Sequence, residues 1–149
     1  MRTTLPNRIR IQTHVIQALE AHADRDSPLE CCGVLLGRGN EILRAVPVPN
    51  LAAEPSRFDA DPLELIRVER KARKAELSIL GYYHSHPAGD PLPSTIDRDS
   101  VPWPDLPPYY HLIVAPGRGW AVYNTRDGRW TTVEVEVTAD PPSPERGYD

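Results

Sequence analysis

The apolar residues of this 149-residue chain fall in short runs, each closed by turn formers. Cys32-Gly-Val-Leu-Leu-Gly37 stops at Gly37-Arg-Gly-Asn40, and Tyr109 to Ala115 stops at Pro116-Gly-Arg-Gly119. Apolar runs of this length are strand-sized, and Tyr109 to Ala115 is also rich in aromatic and β-branched residues. A membrane-spanning helix needs about 20 consecutive apolar residues, and none of the runs approaches that. The N-terminal stretch also lacks the continuous apolar segment of a secretory signal. A soluble, cytoplasmic protein is the expectation.

Between the runs lie two segments with helical periodicity. Thr13 to Ala23 places Val15, Ile16 and Leu19 on one face. A second helix opens at Asp61-Pro62, with Asp as N-cap and Pro at the first helical position. It carries Leu63, Ile66 and Val68 inward and ends near Glu76. The expected strands are Arg8 to Ile11, Cys32 to Gly37, Glu41 to Val48, Leu77 to His86, Tyr109 to Ala115, Trp120 to Asn124 and Arg129 to Val137. The fold class is therefore α/β of the mixed α+β kind, with antiparallel hairpins and two main helices. One domain over residues 1–138 is expected, with a C-terminal tail at 139–149 that has little to bury.

A net charge of −4 and a pI near 5.7 make nucleic acid a poor default partner. The two cysteines, Cys31 and Cys32, are adjacent, which excludes a disulfide framework and a four-cysteine metal site. Of the 17 prolines, seven lie between Pro87 and Pro108, marking a stiff loop rather than a disordered one.

That loop follows His84-Ser85-His86. On a strand, residues i and i+2 share a face about 6.5–7 Å apart, so two imidazoles can converge on one metal ion. Asp97, eleven residues beyond His86, supplies a hard oxygen ligand. Two histidines and a carboxylate leave a fourth tetrahedral position for water, the open arrangement of a catalytic zinc. A proton acceptor that is not itself a ligand is still needed, and Glu30 is the best candidate. Each signal alone also has a plain structural reading. Half-exposed His-x-His pairs are common, Ser94-Thr-Ile-Asp97 fits a helix capping box, and Glu30 could be a solvated loop carboxylate.

Taken together, Glu30-x-Cys32-Gly33-Val-Leu-Leu-Gly37 and His84-Ser-His86-Pro87, then six residues and Ser94-x-x-Asp97, resemble the signature of the JAMM (MPN+, Mov34) metalloprotease family. The resemblance spans the chain from the first helix to about Val137. It implies a curved mixed, largely antiparallel sheet flanked by helices, similar to cytidine deaminases in outline. It also implies one Zn2+ per chain held by His84, His86 and Asp97. Glu30 then moves the proton from water to the leaving amine, and Ser94 steadies the oxyanion. The implied reaction is hydrolysis after the C-terminal Gly-Gly of a ubiquitin-like protein or its conjugates. Only 53 residues separate Glu30 from His84, which leaves no room for the long insertions of the larger deubiquitinases. The chain is thus similar to the compact stand-alone prokaryotic members, which act on small sulfur carriers or protein modifiers.

Two other classes stay open. A RadC-like, DNA-repair-associated relative shares the His-x-His-Pro and Ser-x-x-Asp run, although the Glu-x-Cys-Gly segment and the acidic pI argue against it. A non-catalytic MPN-type scaffold is the other, and a homo-oligomer is compatible with either. Of the remaining residues, Cys32 is expected to be small and buried and Cys31 more exposed. His14 and His22 are expected on the surface and His111 as a structural strand histidine. Asp59, Asp61, Asp90 and Asp99 lack the spacing of Asp97. Trp120 and Trp130 are expected to pack in the core or under loops, and Trp103 lies in the loop beside the site.

Overall fold

A computed structural model describes residues 6–52, 59–94, 109–126 and 129–141. Among the described residues, eight strands and two helices run in the order β1 (Arg8–Gln12), α1 (Thr13–Asp26), β2 (Cys32–Arg38), β3 (Glu41–Val48), α2 (Pro62–Lys74), β4 (Ser78–Ser85), β5 (Tyr109–Ala115), β6 (Gly119–Arg126), β7 (Arg129–Thr132) and β8 (Glu134–Thr138). The strands form one sheet in the order β7-β6-β5-β4-β2-β3-β1-β8. The pairs β2–β3, β2–β4, β5–β6 and β6–β7 are antiparallel, whereas β1–β3, β1–β8 and β4–β5 are parallel. The sheet is mixed and largely antiparallel, as the sequence implied.

The segment Arg129 to Val137, expected as one strand, is two. β7 and β8 stand at opposite edges of the sheet, yet only Val133 separates them. A one-residue link between opposite edges requires the sheet to roll until those edges approach each other. Hydrogen bonds at the link agree: the Val133 amide donates to the Val122 carbonyl on the β6 side and the Glu134 amide to that of Asn7 on the β1 side, at 2.9 and 2.8 Å. The Tyr110 hydroxyl also reaches the Pro6 carbonyl at 2.8 Å. Register shifts in β2, at Leu35/Leu36 and Leu36/Gly37, bend the middle of the sheet.

Strand alternation sends side chains to two cores. On one face α1 buries Val15, Leu19 and Ala23 against Ile9, Leu35, Tyr83 and Leu112. On the other, α2 buries Leu65, Val68 and Ala72 against Val34, Leu36, Val48 and Tyr82. Each buried aliphatic side chain contributes about 1.5–3 kcal/mol. The α2 face differs from the expected one: Leu63 and Ile66 are 74% and 46% exposed. Leu65, Val68 and Ala72 satisfy the same helical period, and the small Ala72 hides the correct stripe. The helix start is as expected, with the Asp61 carboxylate accepting from the Leu63 amide at 3.1 Å. α1 has no cap from its own Gln12. Asp140 supplies one from far along the chain, accepting from the His14 amide at 2.8 Å.

His22 is buried, not on the surface. It belongs to the inward stripe of α1 because it has partners there: Nδ1 lies 2.9 Å from the Tyr83 hydroxyl and Nε2 3.1 Å from Asp26. The Asp26 carboxylate accepts from the Nε2–H group, which leaves Nδ1 to accept from the tyrosine hydroxyl. Tyr83 reaches His22 by lying over Gly33, its partner across the β2–β4 ladder. A Cβ on Gly33 would overlap the Tyr83 ring and the Val46 carbonyl. This is a close-approach requirement, and it explains the glycine in the motif.

Candidate metal centre

β4 is an eight-residue strand whose last turns of alternation face two ways. Tyr83 and Ser85 point to the α1 side, and Tyr82 and His84 to the α2 side, where Cys32 is the direct cross-strand partner of His84. The ladder continues one step further, since the Ser85 amide donates to the Cys31 carbonyl at 3.0 Å. Glu30 is the next residue on that side and His86 the next on the other. The buried carboxylate of Glu30, 5% exposed, thus belongs to the end of the sheet that carries the histidine pair. It is not a solvated loop residue. Asn50 fixes its backbone, donating from Nδ2 to the Glu30 carbonyl at 2.8 Å while Oδ1 accepts from the amides of Ala52 and Asp59.

The two imidazoles converge as the i, i+2 spacing predicts. His84 Nε2 and His86 Nε2 lie 3.1 Å apart. Two nitrogens bound at 2.0–2.1 Å to one tetrahedral zinc sit about 3.3 Å apart, so the pair has close to the required bite. Both rings are held from behind. His86 Nδ1 lies 2.8 Å from the Asp90 carbonyl, which can only accept, so the proton is on Nδ1 and Nε2 presents a lone pair. His84 Nδ1 lies 2.7 Å from His111 Nε2. Backing of this kind fixes tautomer and orientation in metal-ligating histidines. The residues present fit a divalent cation.

The loop after His86 is tied to the β5–β6 side of the sheet. The His86 amide donates to the Val114 carbonyl at 2.9 Å, and the Tyr123 hydroxyl donates to the Pro91 carbonyl at 2.6 Å. Arg118 pairs with the Asp90 carboxylate at 3.3 Å. Asp90 and Asp61 therefore have structural work of their own, as a loop anchor and a helix cap. Ser94 is exposed at the end of this segment. Asp97, Asp99 and Trp103 lie outside the described residues, and among the described residues no group of three metal-binding side chains occurs.

Several residues have more to do than the sequence revealed. Ser85 Oγ accepts from the Cys31 amide at 2.8 Å, so the central residue of His-Ser-His ties the two sides of the site together. Cys31 is fully buried, contrary to expectation, because it packs in the α1-side core. Burial pushes the thiols of Cys31 and Cys32 up to about 11 and about 12 respectively, so neither is poised as a nucleophile. Trp130 packs on His111 with ring centroids 4.7 Å apart, and Trp120 packs against the α1-side core.

The chain belongs to the family described as prokaryotic homologs of the JAB domain, which it matches over residues 12–135. It is 38% identical over 112 residues to a desampylase of Haloferax volcanii, covering 73% of this chain and 71% of that protein. It is 34% identical over 133 residues to the CysO-cysteine peptidase of Mycobacterium tuberculosis, covering 88% and 87%. Among solved structures, protein DSY2949 from Desulfitobacterium hafniense superposes with a TM-score of 0.79 at 27% identity, over 90% of this chain and 95% of that one. No helix among the described residues is long and apolar enough to cross a membrane.

Proposed function

We propose that this protein is a zinc metallopeptidase that hydrolyses the amide bond after the C-terminal Gly-Gly of a small ubiquitin-like protein, releasing an amino acid or a modified lysine. The observation that carries the zinc reading is the His84–His86 pair, with its two Nε2 atoms 3.1 Å apart and each ring backed at Nδ1. The names of the relatives, a desampylase and a CysO-cysteine peptidase, support the substrate class. They lend nothing to a DNA-repair role or a non-catalytic scaffold.

In this reading His84, His86 and Asp97 hold one Zn2+ per chain. Zinc there supplies polarisation of the scissile carbonyl and an acidified water. Glu30 accepts the proton of the attacking water and delivers it to the leaving amine. The Ser94 hydroxyl donates to the oxygen on which negative charge develops. A Gly-Gly tail is flexible and extended, and it binds by adding beside a strand, with β3 or the loop from Asn50 as the lip. The test is incubation of the zinc-loaded protein with a ubiquitin-like carrier extended by one amino acid beyond Gly-Gly, followed by mass spectrometry. A new Gly-Gly terminus that chelator abolishes supports the proposal. An unchanged carrier across a panel of such proteins overturns it.

A further inference from the structure

The structure assigns His111 the part of a positioning residue that aims His84 at the metal. This inference rests on the zinc reading above and concerns a residue outside the His-x-His, Asp and Glu set. His111 lies on β5, fully buried, and is placed beside β4 by the parallel ladder that joins Tyr82 to His111. Its Nε2 meets His84 Nδ1 at 2.7 Å, a tight contact between two imidazoles. The rings stand edge to face, with centroids 4.8 Å apart and planes at 69°. On its far side His111 rests on Trp130 at 4.7 Å. Pinned between Trp130 and His84, the His111 ring presents one nitrogen to the ligand histidine.

The chemistry follows from what His84 must offer. To ligate through Nε2, which faces His86, it must carry its proton on Nδ1, and that proton needs an acceptor. For His86 a backbone carbonyl does this job, and its chemistry admits one tautomer alone. With the metal bound, the acceptor for the His84 proton is His111 Nε2, which puts the proton of His111 on its Nδ1. Without metal, His84 Nε2–H can donate to the His86 Nε2 lone pair at 3.1 Å; a cation taken up there displaces that proton and leaves Nδ1–H of His84 donating to His111. Loss of an outer partner of this kind typically costs about 10–100-fold in metal affinity.

The experiment compares the wild-type protein with His111→Phe, which keeps a ring on Trp130 but accepts no hydrogen bond, and His111→Gln, whose side-chain amide reaches the position of Nε2. Zinc affinity is read by competition with a chromophoric chelator, and the tautomer of His84 in the zinc-loaded wild-type protein by long-range 1H–15N correlation. The expected result is a 10–100-fold weaker zinc affinity in His111→Phe, most of it recovered in His111→Gln, with the His84 proton on Nδ1. Zinc affinity unchanged in His111→Phe, equal losses in both variants, or a His84 proton on Nε2 overturns the assignment. Failure of the wild-type protein itself to bind zinc overturns the zinc reading and this role with it.

Discussion

Ser85 and Cys31 hold each other twice. The Ser85 amide donates to the Cys31 carbonyl at 3.0 Å, and the Cys31 amide donates to Ser85 Oγ at 2.8 Å. This closed pair lies one residue after Glu30 on one side and one before His86 on the other, so it sets the spacing between the Glu30 carboxylate and the histidine pair. Ser85→Ala leaves a buried amide without its acceptor, at a cost of about 1–3 kcal/mol. Urea unfolding of the metal-free protein should show that loss, and turnover should fall while zinc binding is kept.

Asn50 separates two jobs within one side chain. Its Oδ1 organises the loop by accepting from Ala52 and Asp59, and its Nδ2 fixes the Glu30 carbonyl. Asn50→Asp retains the acceptor and loses the donor. We expect it to lower kcat with little change in KM or zinc content, whereas Asn50→Ala lowers stability as well. Steady-state kinetics beside thermal melting distinguish the two.

The sheet was legible where punctuation was local. β3 runs over Glu41–Val48 as the alternation predicts, because turn residues close it at both ends. Arg129 to Val137 misled because Val133 continues the alternation without a turn residue, and the break between β7 and β8 comes from the closing of the rolled sheet. The His84–His86 pair was legible since both residues lie on one strand with a fixed period. His111 was not, because its contact with His84 depends on a parallel pairing between β4 and β5. His22 misled for the same reason: its partner Tyr83 is 61 residues away.

His22 also gives a pH prediction. Burial lowers its pKa from 6.5, and the nearby Asp26 offsets this only in part. The unfolded chain therefore binds a proton at pH values where the folded protein does not. Stability from this group is full above pH 6.5 and is lost as pH falls below it, with a slope of at most about 1.4 kcal/mol per pH unit. Urea midpoints measured from pH 7.5 to 5.5 on metal-free protein should fall for the wild type. The fall should be shallower for His22→Gln.

In the proposed mechanism Glu30 moves the proton at a zinc site it does not ligate. Zinc content and cleavage of a Gly-Gly-linked ubiquitin-like fusion, measured together on Glu30→Gln, test this most directly. Glu30→Gln is expected to keep one zinc per chain, as in the wild type, with cleavage reduced by about 10²–10⁴-fold. Wild-type cleavage by Glu30→Gln, or loss of its zinc, would contradict it.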